Sequence, residues 1–86
     1  MNKVAVVTGG TRGIGLEITK ALRAEGYDVA AIYQNNDDAA KACEAETGAK
    51  AYKTDVSSFE DCERTVGLIE NEVGPIYLLV NNAGIT

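Results

Sequence analysis

The residue types and spacing best suited to chemistry lie in a glycine-rich turn near the amino terminus. The turn reads Thr8-Gly9-Gly10-Thr11-Arg12-Gly13-Ile14-Gly15 and separates an apolar run from a helical pattern. Gly9 allows a sharp turn, Gly13 lets the backbone approach a pyrophosphate, and Gly15 lets a helix pack closely on a sheet. The start of that helix also offers unpaired N–H groups and a positive dipole end to phosphates. The turn therefore predicts a dinucleotide-binding site, the alternative being a tight turn without a ligand.

The elements that must position this turn alternate between strands and helices. Short apolar runs predict four strands, at residues 4–7, 28–33, 49–54 and 76–80. Strands that alternate with helices form a parallel sheet covered by helices on both faces, with right-handed crossovers. The predicted fold class is therefore α/β, in a chain whose 86 residues suit at most one domain.

The sequence predicts three helices, and apolar residues at helical spacing mark the sheet-facing side of the first and the third. In the first helix, which Gly26 ends, these residues are Ile14, Ile18, Ala21 and Leu22. The second helix, capped by Asn36 or Asp37 and ended by Gly48, contains Ala39, Ala40, Cys43 and Ala45. The third begins with a capping box at Ser57 and Glu60, ends at Gly74-Pro75, and has an apolar stripe of Phe59, Cys62, Val66, Ile69 and Val73.

The composition excludes several classes of function. The chain has 8 Lys and Arg against 13 Asp and Glu, a net charge of −5, which disfavours nucleic acid and anionic membranes as partners. It has no histidine, so it lacks the means for a common Cys/His zinc site or a histidine-dependent triad. Cys43 and Cys62 fall at apolar helix positions and are interpreted as reduced core residues. With no membrane-spanning run and no secretory signal in the pattern, a cytoplasmic protein is expected.

Three motifs taken together resemble those of the short-chain dehydrogenase/reductase family. They are Thr8-Gly9 with Gly13-Ile14-Gly15, Asp55-Val56 after the third strand, and Asn81-Asn82-Ala83-Gly84 after the fourth. The resemblance covers the whole chain and implies a Rossmann-type, three-layer α/β/α parallel sheet with four strands in the order 3-2-1-4. It is strongest to members that reduce acetoacetyl-CoA to 3-hydroxybutyryl-CoA for polyhydroxybutyrate synthesis. Reductases of 3-oxoacyl-[acyl-carrier-protein] share these motifs, and a non-catalytic nucleotide-binding module is the alternative from another class.

The choice of cofactor is argued from two positions. NAD-preferring folds usually place an acidic residue at the end of the second strand, where this sequence has Tyr33 followed by Gln34. Arg12 matches the arginine with which NADP-dependent family members contact the 2′-phosphate, and the planar donors of a guanidinium suit that group. NADP(H) is therefore expected, although Asp37 and Asp38 lie close enough to keep NAD(H) open. The alternative for Arg12 is a solvated surface residue.

The resemblance also implies roles for the residues that follow the third and fourth strands. Asp55 should hold the adenine amino group with Val56 packed on the ring, while Asn81 hydrogen-bonds to backbone and steadies the strands. The alternative for Asp55 is an ordinary cap or turn residue. The full set of expected cofactor-binding residues is Gly9, Thr11, Arg12, Gly13, Ile14, Gly15, Tyr33, Gln34, Asp55, Val56, Asn82, Ala83 and Gly84.

The catalytic part of the family pattern, a serine and a Tyr-x-x-x-Lys signature, is absent from the sequence. None of the four tyrosines is followed by lysine at the fourth position, where the chain has Ala31, Asp37, Val56 and Asn81. We therefore expect residues 1–86 to be the N-terminal, NADP-binding part of a longer reductase and to be inactive alone. The family implies a homotetramer for the longer protein. In this part alone the fourth strand would be an exposed edge, and self-association through residues 76–80 is expected.

Overall fold

The computed structural model describes residues 3–82, in which strands and helices alternate. The strands are β1 (Val4–Thr8), β2 (Asp28–Tyr33), β3 (Lys50–Lys53) and β4 (Ile76–Asn81). The helices are α1 (Gly13–Ala24), α2 (Asp37–Thr47) and α3 (Phe59–Glu72). β2 has the predicted bounds, β1 and β4 each extend one residue further, and β3 is shorter than the predicted 49–54. Within the described residues, no helix is long and apolar enough to cross a membrane.

The four strands form one parallel sheet in the order β3-β2-β1-β4. The predicted α/β class and the predicted strand order are confirmed. Because all the strands run in one direction, their carboxyl ends meet at one edge of the sheet. The connections that leave Thr8, Tyr33 and Lys53 therefore emerge side by side, and the end of β4 lies beside them.

Helices cover both faces of the sheet, as alternate residues of β1 show. Val4 and Val6 belong to a buried cluster with Ile69 of α3. Ala5 and Val7 belong to the opposite cluster, which contains Cys43 of α2 and side chains of α1. Successive side chains of a strand point to opposite faces, so α3 lies on one side of the sheet and α1 with α2 on the other. The three-layer arrangement expected from the sequence is confirmed.

The buried face of α1 differs from the one predicted by apolar spacing. Gly15 and Thr19 are its buried residues, and Leu16, Ile18 and Leu22 pack against the core beside them. Ile14 is 74% exposed and Ala21 is exposed, so their assignment to the buried face was wrong. The reason is steric, because the close approach of α1 to the glycine turn requires small side chains at the centre of its buried face.

α2 follows the predicted pattern at both of its ends. The side chain of Asn36 accepts a hydrogen bond from the Ala39 amide at 3.0 Å, which selects Asn36 over Asp37 as the cap. Gly48 ends the helix in the left-handed conformation, with φ of 78°. Cys43 is buried as predicted, Ala40 is buried beside it, and Ala45 is exposed.

The start of α3 lies one residue later than the predicted capping box. Ser58 is the N-cap, and its hydroxyl accepts a hydrogen bond from the Asp61 amide at 3.2 Å. Ser57 is not available as a cap because its amide and hydroxyl both donate to the Asp55 carboxylate, at 3.0 and 2.6 Å. The predicted pairing of Ser57 with Glu60 was therefore wrong.

The predicted apolar stripe of α3 is only partly buried. Ile69 is buried and Val73 packs against the same cluster, but Phe59 is 80% exposed and Val66 is 43% exposed. A polar residue occupies the buried face instead, since the Thr65 hydroxyl lies 2.6 Å from that of Thr54 at the end of β3. The face of α3 that packs on the sheet is therefore rotated from the one that apolar spacing alone predicts.

The two cysteines are free and lie on opposite sides of the sheet. Cys43 is buried, as predicted for a core residue. Cys62 is only half-buried, with its sulfur 3.6 Å from the carbonyl oxygen of Val56, so its assignment to the core was wrong. Burial raises the pKa of the Cys43 thiol above its ordinary value, which keeps that group protonated.

Candidate cofactor-binding site

A cavity of about 480 Å³ opens at the carboxyl edge of the sheet. It collects residues that follow all four strands, which is the place where ligands bind in open α/β sheets. Its lining consists of Gly9, Thr11, Arg12, Gly13, Ile14, Ile32, Tyr33, Gln34, Asn35, Asn36, Thr54, Val56 and Asn82.

The structure brings together most of the residues expected at the site. Gly15 lies behind the cavity, under the glycine turn, and Asp55 lies beside it in a neighbouring depression. Ala83 and Gly84 are outside the described residues. Sequence reasoning missed four lining residues: Ile32, Asn35, Asn36 and Thr54. The signal that could have found them was their position at or directly after the ends of β2 and β3.

The glycine turn is shaped by two residues with different requirements. Gly13 has a φ of 60°, and no atom lies within 4 Å of the place where its Cβ would be, so the backbone there is open to an approaching group. Gly15 is the opposite case, because a Cβ there would overlap the carbonyl oxygen of Gly9 and lie 2.9 Å from Asn82 Nδ2. Both glycines are therefore required, Gly13 for access and Gly15 for close packing.

The amino-terminal end of α1 is free of the groups that close the other two helices. Arg12 is at its N-cap position, its side chain makes no capping hydrogen bond, and the first turn of the helix contains no acidic residue. By contrast, Asn36 caps α2 and Ser58 caps α3, and each of these helices has two acidic residues in its first turn. The first amides of α1 thus keep their capacity to donate to an anion at the positive end of the helix dipole.

Hydrogen bonds to neighbouring elements hold the glycine turn in place. The amides of Gly9 and Gly10 donate to the carbonyl oxygen of Ile32, at 2.8 and 3.2 Å. From α1, the fully buried hydroxyl of Thr19 donates to the carbonyl oxygen of Gly10 at 2.9 Å. The turn is thereby fixed before any ligand arrives, which lowers the entropic cost of binding. Sequence reasoning missed Thr19, whose signal was a polar residue within an otherwise apolar helix face.

The end of β4 is attached to the same turn through Thr8. The Thr8 hydroxyl accepts a hydrogen bond from the Asn82 amide at 2.8 Å and lies 3.2 Å from Asn81 Oδ1, to which it donates. Asn82 Nδ2 lies 3.4 Å from the carbonyl oxygen of Gly9. Asn82 therefore lines the cavity with its side chain held by Gly9. Among residues 3–82, the Asn81 side chain bonds to the Thr8 hydroxyl and to no backbone group.

The charged groups near the end of β2 neutralise one another beside the cavity. The Tyr33 hydroxyl donates to Asp37 Oδ1 at 3.0 Å, and Lys53 Nζ lies 3.5 Å from the same oxygen. The Tyr33 hydrogen bond and the Lys53 charge hold the pKa of Asp37 below its ordinary value, while burial and the carboxylate raise the pKa of Tyr33. Arg12 differs, since it lines the cavity without an ion-pair partner among residues 3–82.

Both the carboxylate and the backbone amide of Asp55 form hydrogen bonds. Its carboxylate is exposed and accepts the two hydrogen bonds from Ser57, an arrangement typical of a turn residue. Its amide donates to the carboxylate of Asp61 at 2.7 Å. Val56, the next residue, lines the cavity with an exposed apolar side chain that offers a surface for a flat ring.

The parallel sheet order, the glycine turn and the cavity at the carboxyl edge define a Rossmann-type α/β protein. The chain belongs to the short-chain dehydrogenase family, whose family model matches residues 3–86.

Similar proteins of known activity include two curated relatives. The acetoacetyl-CoA reductase of Shinella zoogloeoides is 59% identical over 86 residues, which are 100% of this chain and 36% of that protein. A 3-oxoacyl-[acyl-carrier-protein] reductase of Staphylococcus epidermidis is 40% identical over 91 residues, covering 100% of this chain and 37% of the relative. The chain thus spans little more than a third of the length of these relatives.

A solved structure gives the same result for the fold. The F189W actinorhodin polyketide ketoreductase, crystallised with NADPH, superposes with a TM-score of 0.87 at 36% identity. The superposition covers 96% of this chain and 33% of that one.

Proposed function

We propose that this chain binds NADP(H) in the cavity at the carboxyl edge of its sheet. The observation that carries the proposal is the uncapped amino-terminal end of α1 with Gly13 open in front of it. That combination suits a pyrophosphate, because backbone amides and the helix dipole act together on the anion. Membership of the short-chain dehydrogenase family and the NADPH-bound ketoreductase support a nicotinamide cofactor.

The preference for NADP(H) over NAD(H) is proposed from charge. Arg12 lines the cavity without a carboxylate partner among residues 3–82, so its guanidinium is available to a 2′-phosphate. Tyr33 and Gln34 supply no negative charge at the end of β2. Asp37 is held by Tyr33 and Lys53 and does not line the cavity, so it opposes the phosphate less than an acidic residue at position 33 or 34 would.

The remaining expected contacts complete the proposed binding mode. Gly9 to Gly15 would hold the pyrophosphate, while Asp55 and Val56 would hold the adenine. Asn82, Ala83 and Gly84 would line the ribose nearer the nicotinamide. When bound, the cofactor supplies the hydride that reduces a carbonyl, and the chain's own part is to bind and orient it.

We further propose that the chain forms the cofactor-binding part of a reductase of 3-oxoacyl thioesters. Acetoacetyl-CoA is the favoured substrate, since the 59% identity with an acetoacetyl-CoA reductase exceeds the 40% identity with a 3-oxoacyl-[acyl-carrier-protein] reductase. The latter activity is the second candidate because its relative also matches 100% of the chain. The family resemblance favours a homotetramer, and the interpretation of both cysteines as reduced favours a cytoplasmic enzyme. Its catalytic serine, tyrosine and lysine would come from outside these 86 residues.

Calorimetric titration of the chain with NADPH and with NADH tests the proposal. We expect both cofactors to bind and NADPH to bind more tightly. Equal or tighter binding of NADH would contradict the preference, and absence of binding by both would contradict the function. In a separate assay the chain alone should show no oxidation of NADPH on addition of acetoacetyl-CoA, whereas a full-length protein containing it should show turnover.

A further inference from the structure

Asp61, in the first turn of α3, makes contacts that an ordinary helix start does not need. Its Oδ2 accepts a hydrogen bond from the Asp55 amide at 2.7 Å. Its Oδ1 accepts two from the Arg64 guanidinium, at 3.1 Å from Nε and 2.8 Å from Nη2. Both oxygens of one half-buried carboxylate are therefore used, and each of these bonds is strengthened by charge.

The direction of the Asp61 side chain distinguishes it from a capping residue. In a capping box the acidic side chain at this position turns back to the amide of the N-cap residue. Here the N-cap amide, that of Ser58, donates to the carbonyl oxygen of Asp55 at 3.0 Å instead. The Asp61 carboxylate reaches past the cap to the Asp55 amide, so it fixes the connection from β3 rather than the end of its own helix.

Arg64 extends the same anchor to the end of β3. Its Nη2 lies 3.4 Å from the carbonyl oxygen of Lys53, the last residue of that strand. The pair of Asp61 and Arg64 thus holds the chain at 53 and at 55. Thr54 lies between these two points and Val56 follows them, and both line the cavity.

We propose that the Asp61–Arg64 pair positions the adenosine end of the cofactor site by fixing the backbone from Lys53 to Val56. Neither side chain lines the main cavity, although both line the neighbouring depression in which Asp55 lies. Because both side chains are bonded to the connection, they are positioning residues in this proposal. The inference rests on the proposed function. It adds that affinity for the adenosine half of the cofactor is set in part by an ion pair on α3.

The test uses the 86-residue chain and two probes that report on different ends of the site. Adenosine 2′,5′-bisphosphate reports on the adenosine end, and inorganic pyrophosphate reports on the glycine turn. For Asp61→Ala we expect the affinity for adenosine 2′,5′-bisphosphate to fall about tenfold, since a hydrogen bond to a charged group is lost. The affinity for pyrophosphate should be unchanged.

Three further variants refine the test. Arg64→Lys keeps the charge but loses the planar two-nitrogen contact, so we expect a smaller loss for the same probe. Asp61→Asn, which keeps an oxygen facing the Asp55 amide, should also be intermediate. Glu63→Ala is the matched control, because Glu63 is exposed on the same helix and forms no ion pair among the described residues.

Amide hydrogen exchange gives a readout that does not depend on a ligand. The Asp55 amide should be protected in the wild type and in Glu63→Ala and should exchange faster in Asp61→Ala. Unchanged exchange and unchanged probe affinity in Asp61→Ala would overturn the inference, as would equal loss of both probes, which indicates general disruption. Failure of the wild type to bind either probe would instead overturn the proposed function.

Discussion

Gly15 lies where the first turn of α1 meets the carbonyl oxygen of Gly9, and no side chain fits between them. The contact places the uncapped end of the helix beside the cavity. The lack of a Cβ at Gly15 therefore affects both the packing of α1 and the shape of the proposed binding site. Thr19 reinforces the same approach from the next turn of the helix through its bond to Gly10. At the residue scale, the site thus depends on the absence of a side chain at Gly15 and on the hydroxyl of Thr19.

Substitution of Gly15 by alanine should destabilise the fold and weaken cofactor binding together. Overpacking against backbone costs about 1–3 kcal/mol in the free energy of unfolding, and the shift of α1 should lower NADPH affinity. Gly67→Ala is the matched control, since a Cβ at this exposed position of α3 meets nothing within 4 Å. It should stabilise the chain by about 1 kcal/mol through helix propensity. Urea unfolding and NADPH titration measure both effects. A Gly15→Ala chain with wild-type stability and affinity would contradict the close-packing role of Gly15.

Arg12 should determine the preference between the two nicotinamide cofactors. Arg12→Gln removes the charge that we propose faces the 2′-phosphate, so we expect NADPH affinity to fall about tenfold or more while NADH affinity changes little. Arg12→Lys, the control, keeps the charge and should retain part of the preference. Calorimetry at two salt concentrations measures this, because the charge contribution should shrink as salt screens it. Equal losses of affinity for NADPH and NADH would show that Arg12 does not bind the 2′-phosphate.

Strands and turns were better predicted than helix faces, and the reason is physical. A strand such as Val4–Thr8 is buried on both sides, so it can be predicted from its apolar run without knowing which elements pack against it. The glycine turn is equally local. The faces of α1 and α3 depend on partners elsewhere: Thr19 meets Gly10, and Thr65 meets Thr54. These polar contacts join a helix to the element before it, so apolar spacing within the helix alone placed Ile14 and Phe59 on the wrong side.

The residues of the site also differ in whether their roles could be predicted from the local sequence. Residues of the glycine turn and the ends of the strands could be predicted because their spacing is a property of one connection. The role of Asp61 could not, since nothing in its local sequence indicates that its carboxylate reaches the Asp55 amide. The capping pattern pointed to Ser57, which the structure shows bonded to Asp55 instead.

The contact between β3 and α3 should make stability depend on pH. The buried Tyr52 hydroxyl donates to Glu72 Oε1 at 2.8 Å, and Lys50 Nζ lies 3.0 Å from the same oxygen. Burial and this bond raise the pKa of Tyr52 above its ordinary value of 10.0, and the bond lowers the pKa of Glu72 below 4.5. The Tyr52 contribution is therefore complete below pH 10 and is lost as pH rises further. The Glu72 contribution is present above pH 4.5 and is lost as pH falls.

Tyr52→Phe should remove the alkaline part of this dependence. We expect lower stability than wild type at neutral pH and a smaller further loss above pH 10. Tyr77→Phe is the control, since Tyr77 is 61% exposed and should leave the profile as it is in the wild type. Urea midpoints across the pH range measure both variants. An alkaline loss in Tyr52→Phe as large as that of the wild type would contradict the assignment.

At the scale of the whole molecule, β4 is an edge strand of the sheet with exposed apolar side chains. β4 pairs with β1 on one side and with no other strand among the described residues. Tyr77 and Leu79 on this strand are 61% and 62% exposed, and the strand carries no charged residue. Such an edge offers unpaired backbone groups and apolar side chains to another chain.

We predict that the 86-residue chain self-associates through β4. Leu79→Lys places a charge on the edge and should shift the chain toward the monomer. Phe59→Lys is the control, because Phe59 is 80% exposed on α3 and lies off the edge, so its substitution should leave association unchanged. Sedimentation velocity at increasing concentration measures the distribution. A wild-type chain that stays monomeric at high concentration would contradict the prediction.

The difference in exposure between the two thiols has a practical consequence. A reagent that cannot enter the protein interior should modify Cys62 and spare Cys43, because Cys62 alone of the two is partly exposed. Its sulfur lies 3.6 Å from the carbonyl oxygen of Val56, at the rim of the cavity. The native chain therefore carries one natural attachment point for a fluorine or spin label, placed where an arriving nucleotide would alter the signal without any engineered cysteine.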